Sequence, residues 1–131
     1  MRAVNPEAAG TTYPDVEFVV EPARVAAFRE VFGQPSGVPP TFLTAAEFAV
    51  FPRVIADPAL GLDFSRVLHG GQEYEVLRPL REGETLTIRM RIDSIRVRAG
   101  RGFLVIAMEL FDEAGEPVAR TRSTMIERGE P

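Results

Sequence analysis

Apolar and polar residues alternate along the second half of the chain, which is the pattern of β-strands with one buried face. Tyr74 and Val76 alternate with glutamates, and the even-numbered residues from Leu86 to Ile92 are apolar. The apolar residues then move to odd-numbered positions, which predicts a β-bulge near Asp93. A later segment is apolar on both faces, as expected of a central strand. The predicted strands cover residues 73–76, 85–97, 103–111 and 118–126.

The first half of the chain contains the predicted helices. An alternating segment at 15–20 predicts a short strand, and Pro22 then begins a helix that Gly33 ends. After a loop rich in proline and glycine at 34–40, residues 42–51 are apolar on nearly every side, which predicts an enclosed helix. A buried helix followed by four antiparallel strands predicts an α+β hot-dog fold, in which an antiparallel sheet wraps around the central helix.

Composition narrows the possible chemistry. The 131 residues, of which 45% are hydrophobic, suit one hot-dog domain over 1–131, with residues 1–12 as a flexible arm. The chain has no cysteine and a single histidine, His69, so thiol chemistry and metal sites built from cysteines or several histidines are excluded. All fifteen basic residues are arginine, which excludes a Schiff-base or P-loop lysine. We therefore expect no cofactor and no metal.

Charge and hydropathy argue against two classes of partner. The formal net charge is −4 and the chain has no basic tail, so nucleic acid is not expected as a partner. No apolar run approaches the roughly 20 residues that cross a bilayer, so no membrane span is expected. The first residues lack the apolar segment of a secretory signal, and a cytoplasmic location is the expectation.

Two motifs carry a resemblance to a known family. Residues 68–74 read Leu-His-Gly-Gly-Gln-Glu-Tyr, and residues 78–83 read Arg-Pro-Leu-Arg-Glu-Gly. With the segments 38–42 and 120–124, they resemble the N-terminal half of MaoC-like dehydratases, particularly the HadA-type subunit of bacterial 3-hydroxyacyl dehydratases. The resemblance covers residues 13–128. It implies a hot-dog fold that pairs with a second hot dog through the sheet edges.

The resemblance also implies a substrate class and a reaction. Members of the family act on acyl thioesters of coenzyme A or acyl carrier protein, and they hydrate trans-2-enoyl thioesters reversibly to (R)-3-hydroxyacyl thioesters. The family's Asp and His lie in an Asp-x-Asn-Pro-x-His-x-Asp loop. Here the corresponding residues 33–40 read Gly-Gln-Pro-Ser-Gly-Val-Pro-Pro, without aspartate, asparagine or histidine. The chain is therefore predicted to be a non-catalytic subunit that shapes the acyl pocket beside a catalytic partner.

The acyl pocket is expected to involve the buried helix and the start of the following strand. Phenylalanines on a buried helix are usually core residues, but three of them could line an acyl tunnel. The candidate substrate-binding residues are Pro40, Phe42, Phe48, Phe51, His69 and Gly70.

Two residues are candidates for catalysis, and each has a structural interpretation that we favour. Histidine is the residue type that changes charge near neutral pH, but a general base needs an orienting partner, so His69 is expected to hydrogen-bond backbone at the strand entry. Glu47 lies three residues after Thr44, the spacing of a capping box, which would give it a structural task.

Two alternative functions stay open from the sequence. The chain could form a homodimer that binds acyl thioesters without chemistry, or it could be a hot-dog thioesterase that uses Glu47 with His69 nearby. Arginines in the second half, among them Arg78, Arg120 and Arg122, could bind the phosphates of coenzyme A or an acidic carrier protein. A solvated strand face balanced by glutamates is the preferred interpretation of these arginines.

Overall fold

A single antiparallel sheet packs against one long helix. The computed structural model describes residues 4–129, and the sheet has the strand order β1-β3-β4-β5-β2. This is the predicted α+β hot-dog architecture. The strands are β1 (Val16–Val19), β2 (Val67–Val76), β3 (Thr85–Arg98), β4 (Arg101–Phe111) and β5 (Pro117–Glu127), and the helices are α1 (Pro22–Phe32) and α2 (Leu43–Ile55). Short 3-10 turns lie at Pro6–Ala8, Pro40–Phe42 and Phe64–Arg66.

The core lies between α2 and the inner face of the sheet. Leu43, Ala46 and Val50 of α2 are completely buried, and they face the inward rows of β3 and β4. The alternation that predicted those strands therefore corresponds to their buried faces. One expectation about α2 fails. Phe48 is 67% exposed, because the side of α2 that faces away from β3 and β4 is not covered by any part of residues 4–129.

Among residues 4–129, the register of the sheet shifts at three places, one of which lies between Leu110 and Phe111 of β4. The predicted β-bulge lies between Ile92 and Ser94 of β3. Another lies in β2, where His69 pairs with Met125 but Gly71 pairs with Thr124, so that Gly70 is the additional residue. Side chains of a regular strand alternate between the two faces. The bulge in β2 therefore allows residues 69 and 72, which have opposite parity, to face the same side of the sheet.

Residues 4–12 of the predicted flexible arm contact the rest of the domain. Val4 is buried, and its backbone N–H donates to Glu127 Oε1 at 2.9 Å. Gly10 N–H donates to the carbonyl of Ile92 at 2.8 Å. Val4 occupies the space above Gly102, where a Cβ would lie 2.5 Å from Val4 Cγ1. These contacts join residues 4–12 to the sheet, and residues 1–3 of the predicted arm lie outside the described range.

Candidate functional site

A cavity of about 410 Å³ opens between α2 and the edge strand β2. Its wall is mostly apolar, and a small group of polar side chains lies together on one side. Such a combination is typical of small-molecule binding sites. The apolar lining residues are Phe48, Phe51, Pro52, Ile55, Phe64, Val67 and Met125, and the polar ones are Thr44, Glu47, His69, Gln72 and Tyr74.

Glu47 is the centre of the polar group. It projects from α2 toward the sheet and is 2% exposed. Its Oε1 accepts a hydrogen bond from the Tyr74 hydroxyl at 3.0 Å, and its Oε2 accepts one from Gln72 Nε2 at 3.0 Å. The hydroxyls of Thr121, at 3.4 Å, and of Ser123 also donate to Oε2. Hydrogen bonds from β2 and β5 thus compensate for the loss of water around a buried carboxylate.

The Tyr74 hydroxyl links Glu47 to the first turn of α2. Thr44 Oγ1 lies 2.7 Å from this hydroxyl. Burial together with the negative charge of Glu47 raises the pKa of Tyr74 to about 12, although the hydrogen bond with Thr44 acts in the opposite direction. Tyr74 is therefore a neutral hydrogen-bond donor at physiological pH.

The predicted capping box does not form. Helix α2 begins at Leu43, and no side chain caps its N-terminus. The Thr44 hydroxyl contacts Tyr74, and the Glu47 carboxylate accepts from side chains of the sheet rather than from a backbone N–H of the first turn. Thr44 and Glu47 thus join α2 to β2 and β5 instead of capping their own helix.

The sequence matches a known family over most of its length. The family described as "FAS1-like, dehydratase domain region" matches residues 8–121. The chain belongs to this family. UPF0336 proteins are among its relatives. That of Saccharopolyspora erythraea is 38% identical over 83% of this chain and 67% of its own length. That of Streptomyces avermitilis is 33% identical over 96% of each chain.

Solved structures show the same fold. A MaoC-like dehydratase superimposes with a TM-score of 0.80 at 21% identity, over 93% of this chain and 42% of its own length. A chain of the C-terminally truncated HadBC (3R-hydroxyacyl-ACP dehydratase) complex from Mycobacterium tuberculosis superimposes with a TM-score of 0.76 at 20% identity. That match covers 91% of this chain and 96% of the neighbour. The predicted hot-dog fold and the predicted relation to dehydratases are confirmed, whereas the resemblance to the HadA-type subunit stays a prediction.

In this FAS1-like dehydratase domain, three of the six predicted pocket residues line the cavity. Phe48 and Phe51 do so from α2, with ring centroids 6.2 Å apart, and His69 does so from β2. Phe42 is instead buried against Phe18 and Phe28 in the core, and Pro40 begins the 3-10 turn that precedes α2. Gly70 forms the bulge of β2.

The environment of His69 differs from the expected one. The residue lies within β2 rather than at a loop end, and it is exposed at the sheet edge. Within residues 4–129, its ring makes no hydrogen bond, so the expected hydrogen bond to backbone is absent. His69 faces the cavity because it precedes the bulge.

Sequence reasoning missed the four side chains that donate hydrogen bonds to Glu47. Gln72, Tyr74, Thr121 and Ser123 occupy inward positions of two adjacent strands, and they are paired across the ladder as Gln72 with Ser123 and Tyr74 with Thr121. Polar residues at inward positions are the signal that could have indicated a buried polar partner. That signal becomes readable only once the register of β2 and β5 is known.

The arginines of the FAS1-like dehydratase domain that were considered for anion binding are engaged in ion pairs. Arg78 pairs with Glu84 at 2.7 Å and Arg120 with Glu75 at 2.8 Å. Arg122 pairs with the Asp93 carboxyl at 2.7 Å. The hydrogen bond from Arg122 and the positive charge of its guanidinium both hold the pKa of Asp93 below its ordinary value. The ion pairs support the interpretation of a charge-balanced, solvated face.

Two further classes of site receive no support. No helix of the part of the chain that the structure describes is long and apolar enough to cross a membrane. Within that same part, no group of three or more histidine, cysteine, aspartate and glutamate side chains could hold a metal ion.

Proposed function

We propose that this chain is the non-catalytic subunit of a hydro-lyase that hydrates trans-2-enoyl thioesters reversibly to (R)-3-hydroxyacyl thioesters. Its cavity holds the acyl chain, and a second hot-dog subunit supplies the catalytic aspartate and histidine. The observation that carries this proposal is the segment between α1 and α2. Residues 33–40, which by the resemblance correspond to the family's catalytic loop, contain no side chain that could exchange a proton near neutral pH.

The titratable side chains in the cavity do not replace that loop. Elimination of the 3-hydroxyl group requires a base for the proton on C2 and an acid for the leaving hydroxyl. Glu47 is buried and already accepts four hydrogen bonds. Tyr74 donates to Glu47 and has a pKa of about 12. His69 has no carboxylate that orients its ring among the described residues.

The same geometry disfavours the thioesterase alternative. A carboxylate that attacks an acyl carbon, or activates water beside it, needs a lone pair directed at the substrate. Both Glu47 oxygens are engaged by side chains of β2 and β5. These contacts favour a structural role for Glu47, which holds α2 against β2 and β5, over a role as a nucleophile.

The edge strand β2 is the surface on which we place the second subunit. β2 has ten residues and, among the residues that the structure describes, pairs on only one side, with β5. A long unpaired strand edge readily accepts another strand. Apolar side chains are exposed on and beside it, namely Phe48, Phe64, Leu68, Val76 and Leu77. Such a concentration of exposed apolar surface is typical of an interaction site. A partner here would also border the mouth of the cavity.

Hydration of crotonyl-CoA tests the proposal. The loss of enoyl thioester absorbance is followed with the purified chain, and with the complex obtained by co-expression with a MaoC-type chain that contains the Asp-x-Asn-Pro-x-His-x-Asp loop. We expect turnover only with the complex, and no turnover when the histidine of the partner's loop is replaced by alanine. Hydration by the chain alone would overturn the proposal. Thioester binding without turnover in every pairing would favour the homodimer alternative.

A further inference from the structure

The hydrogen bonds around Glu47 have a direction that the carboxylate sets. A carboxylate can only accept, so every neighbouring group within reach must point a hydrogen at it. Tyr74 therefore uses its single hydroxyl hydrogen on Glu47 Oε1, 3.0 Å away. The opposite orientation would place two oxygens face to face, without a hydrogen, beside a buried charge.

The direction of the Tyr74 hydrogen bond also decides which way the hydrogen bond between Tyr74 and Thr44 runs. The hydroxyls of Tyr74 and Thr44 are 2.7 Å apart, and one of them must donate to the other. The hydrogen of Tyr74 is already used on Glu47, so Thr44 donates to Tyr74. Thr44 thereby uses its only side-chain hydrogen and keeps acceptor lone pairs.

The remaining donors of the polar group also point away from the cavity. Gln72 Nε2 donates to Glu47 and to the carbonyl of Arg122, at 3.0 and 3.3 Å. Thr121 donates to Glu47, and the Ser123 hydroxyl lies between Glu47 Oε2 and Gln72 Oε1, 2.6 Å from the latter; both residues are completely buried. Thr44 lines the cavity and is only partly buried, and these hydrogen bonds leave its side-chain oxygen with acceptor lone pairs but no free hydrogen.

We propose that Thr44 is a specificity-determining residue, which gives the polar end of the cavity a preference for acyl groups that carry a hydroxyl. The Thr44 oxygen accepts the hydrogen of that hydroxyl. This inference rests on the proposed function in one respect, namely that the cavity is the acyl pocket. A purely alkyl group at this end would cover the Thr44 lone pairs without giving them a donor, which is unfavourable in an apolar surrounding.

Two isomeric probes test this preference on the full chain. 1-Octanol carries a hydroxyl hydrogen, whereas heptyl methyl ether has the same heavy-atom composition and can only accept. Their dissociation constants are measured by titration, with chemical-shift changes of the cavity residues locating the site. We expect the alcohol to bind about three- to tenfold more tightly, as one neutral hydrogen bond provides. Equal affinities, or no binding of either isomer, would overturn the inference.

Variants of Thr44 show whether the preference for the alcohol comes from the Thr44 oxygen or from the packing of the side chain. Thr44→Val keeps the shape of the side chain but removes the acceptor, so the two isomers should bind equally. Thr44→Ser should retain the preference. Thr41→Val is the matched control, because Thr41 is exposed and does not line the cavity, and it should leave the preference unchanged. A preference for the alcohol that survives in Thr44→Val would contradict the inference.

A further variant, Tyr74→Phe, should shift the preference of Thr44 from the alcohol toward the ether. Without the phenol oxygen, the Thr44 hydroxyl loses the acceptor to which it donates. Its hydrogen then becomes available to the cavity, so the ether should gain affinity relative to the alcohol. An unchanged ratio would overturn the inferred direction. These binding results are independent of catalysis, so absence of hydration with any partner would overturn the proposed function but not the preference of Thr44.

Discussion

At the residue scale, Glu47 shows how a local sequence motif can mislead. Its spacing from Thr44 fits a capping box, in which both partners lie within one helical turn. The actual partners of Glu47 are 25 to 76 residues away along the chain. Local spacing cannot reveal such contacts, since they depend on the register of β2 against β5. Phe48 and Phe51 line the cavity from α2, the helix that the apolar run predicted, although Phe48 is exposed rather than enclosed.

A tyrosinate titration tests the buried environment of Tyr74. In the folded protein, burial raises the pKa of Tyr74 to about 12 and also raises that of Tyr13, whose hydroxyl donates to Asp57. An ordinary tyrosine, with a pKa of about 10, is about 90% ionised at pH 11. After a rapid jump to pH 11, we expect little tyrosinate absorbance in the dead time and a later rise as the chain unfolds. Full tyrosinate absorbance at once would contradict the assigned environment.

The same shifts make stability depend on pH at the alkaline end. Between pH about 10 and 12, a tyrosine of the unfolded chain has lost its proton, whereas Tyr74 of the folded chain keeps it. The unfolded state then binds fewer protons, so the free energy of unfolding falls as the pH rises through this window. The stabilisation is complete below pH 10. Tyr74→Phe should flatten part of this fall, which urea denaturation at several pH values would measure.

At the element scale, the strands and helices were largely predictable, and the irregularities only in part. The bulge in β3 follows from a change in the parity of apolar residues, and the structure has it between Ile92 and Ser94. The bulge at Gly70 left no such signal, because both faces of β2 at this point carry polar or small residues. The packing of residues 4–12 was also not predictable, since short irregular segments have no periodicity.

The bulge predicts different effects for two adjacent glycines. A Cβ at position 70 would lie 2.6 Å from Ile126 Cδ1, whereas a Cβ at position 71 would lie 3.7 Å from its nearest neighbour, in Thr124. Gly70→Ala should lower the free energy of unfolding by about 1 kcal/mol, since the end of the isoleucine side chain can shift. Gly71→Ala should change it by less than about 0.5 kcal/mol. Urea denaturation of both variants compares them directly.

A double variant shows whether the close contact with Ile126 is the cause. Ile126→Val removes Cδ1, so Gly70→Ala should cost less in that background than in the native chain. Equal costs in both backgrounds would point to the backbone of the bulge instead.

At the scale of the whole molecule, the domain has an enclosed apolar core, and the side that carries β2 has an open cavity and an unpaired strand edge. Buried residues of α2 and the sheet form a continuous core, while the cavity and the unpaired edge of β2 lie on the same side. The family match covers residues 8–121, and the structural match to a MaoC-like dehydratase covers 93% of the chain. The proposed acyl-binding role rests on the cavity, and the proposed assignment of catalysis to a second subunit rests on the composition of residues 33–40. The central claim is therefore that this chain holds the acyl group while its partner performs the chemistry.

Photoaffinity labelling tests that claim most directly. An octanoyl-CoA analogue with a diazirine at the end of its acyl chain is irradiated in the complex with a MaoC-type chain, and the labelled peptides are identified by mass spectrometry. Unmodified octanoyl-CoA should compete with the label. Phe51→Trp, which fills the cavity, should reduce labelling, whereas Phe32→Trp on the exposed end of α1 should not. We predict labels in residues 43–55 and 67–74 of this chain. Labels confined to the partner would contradict the account.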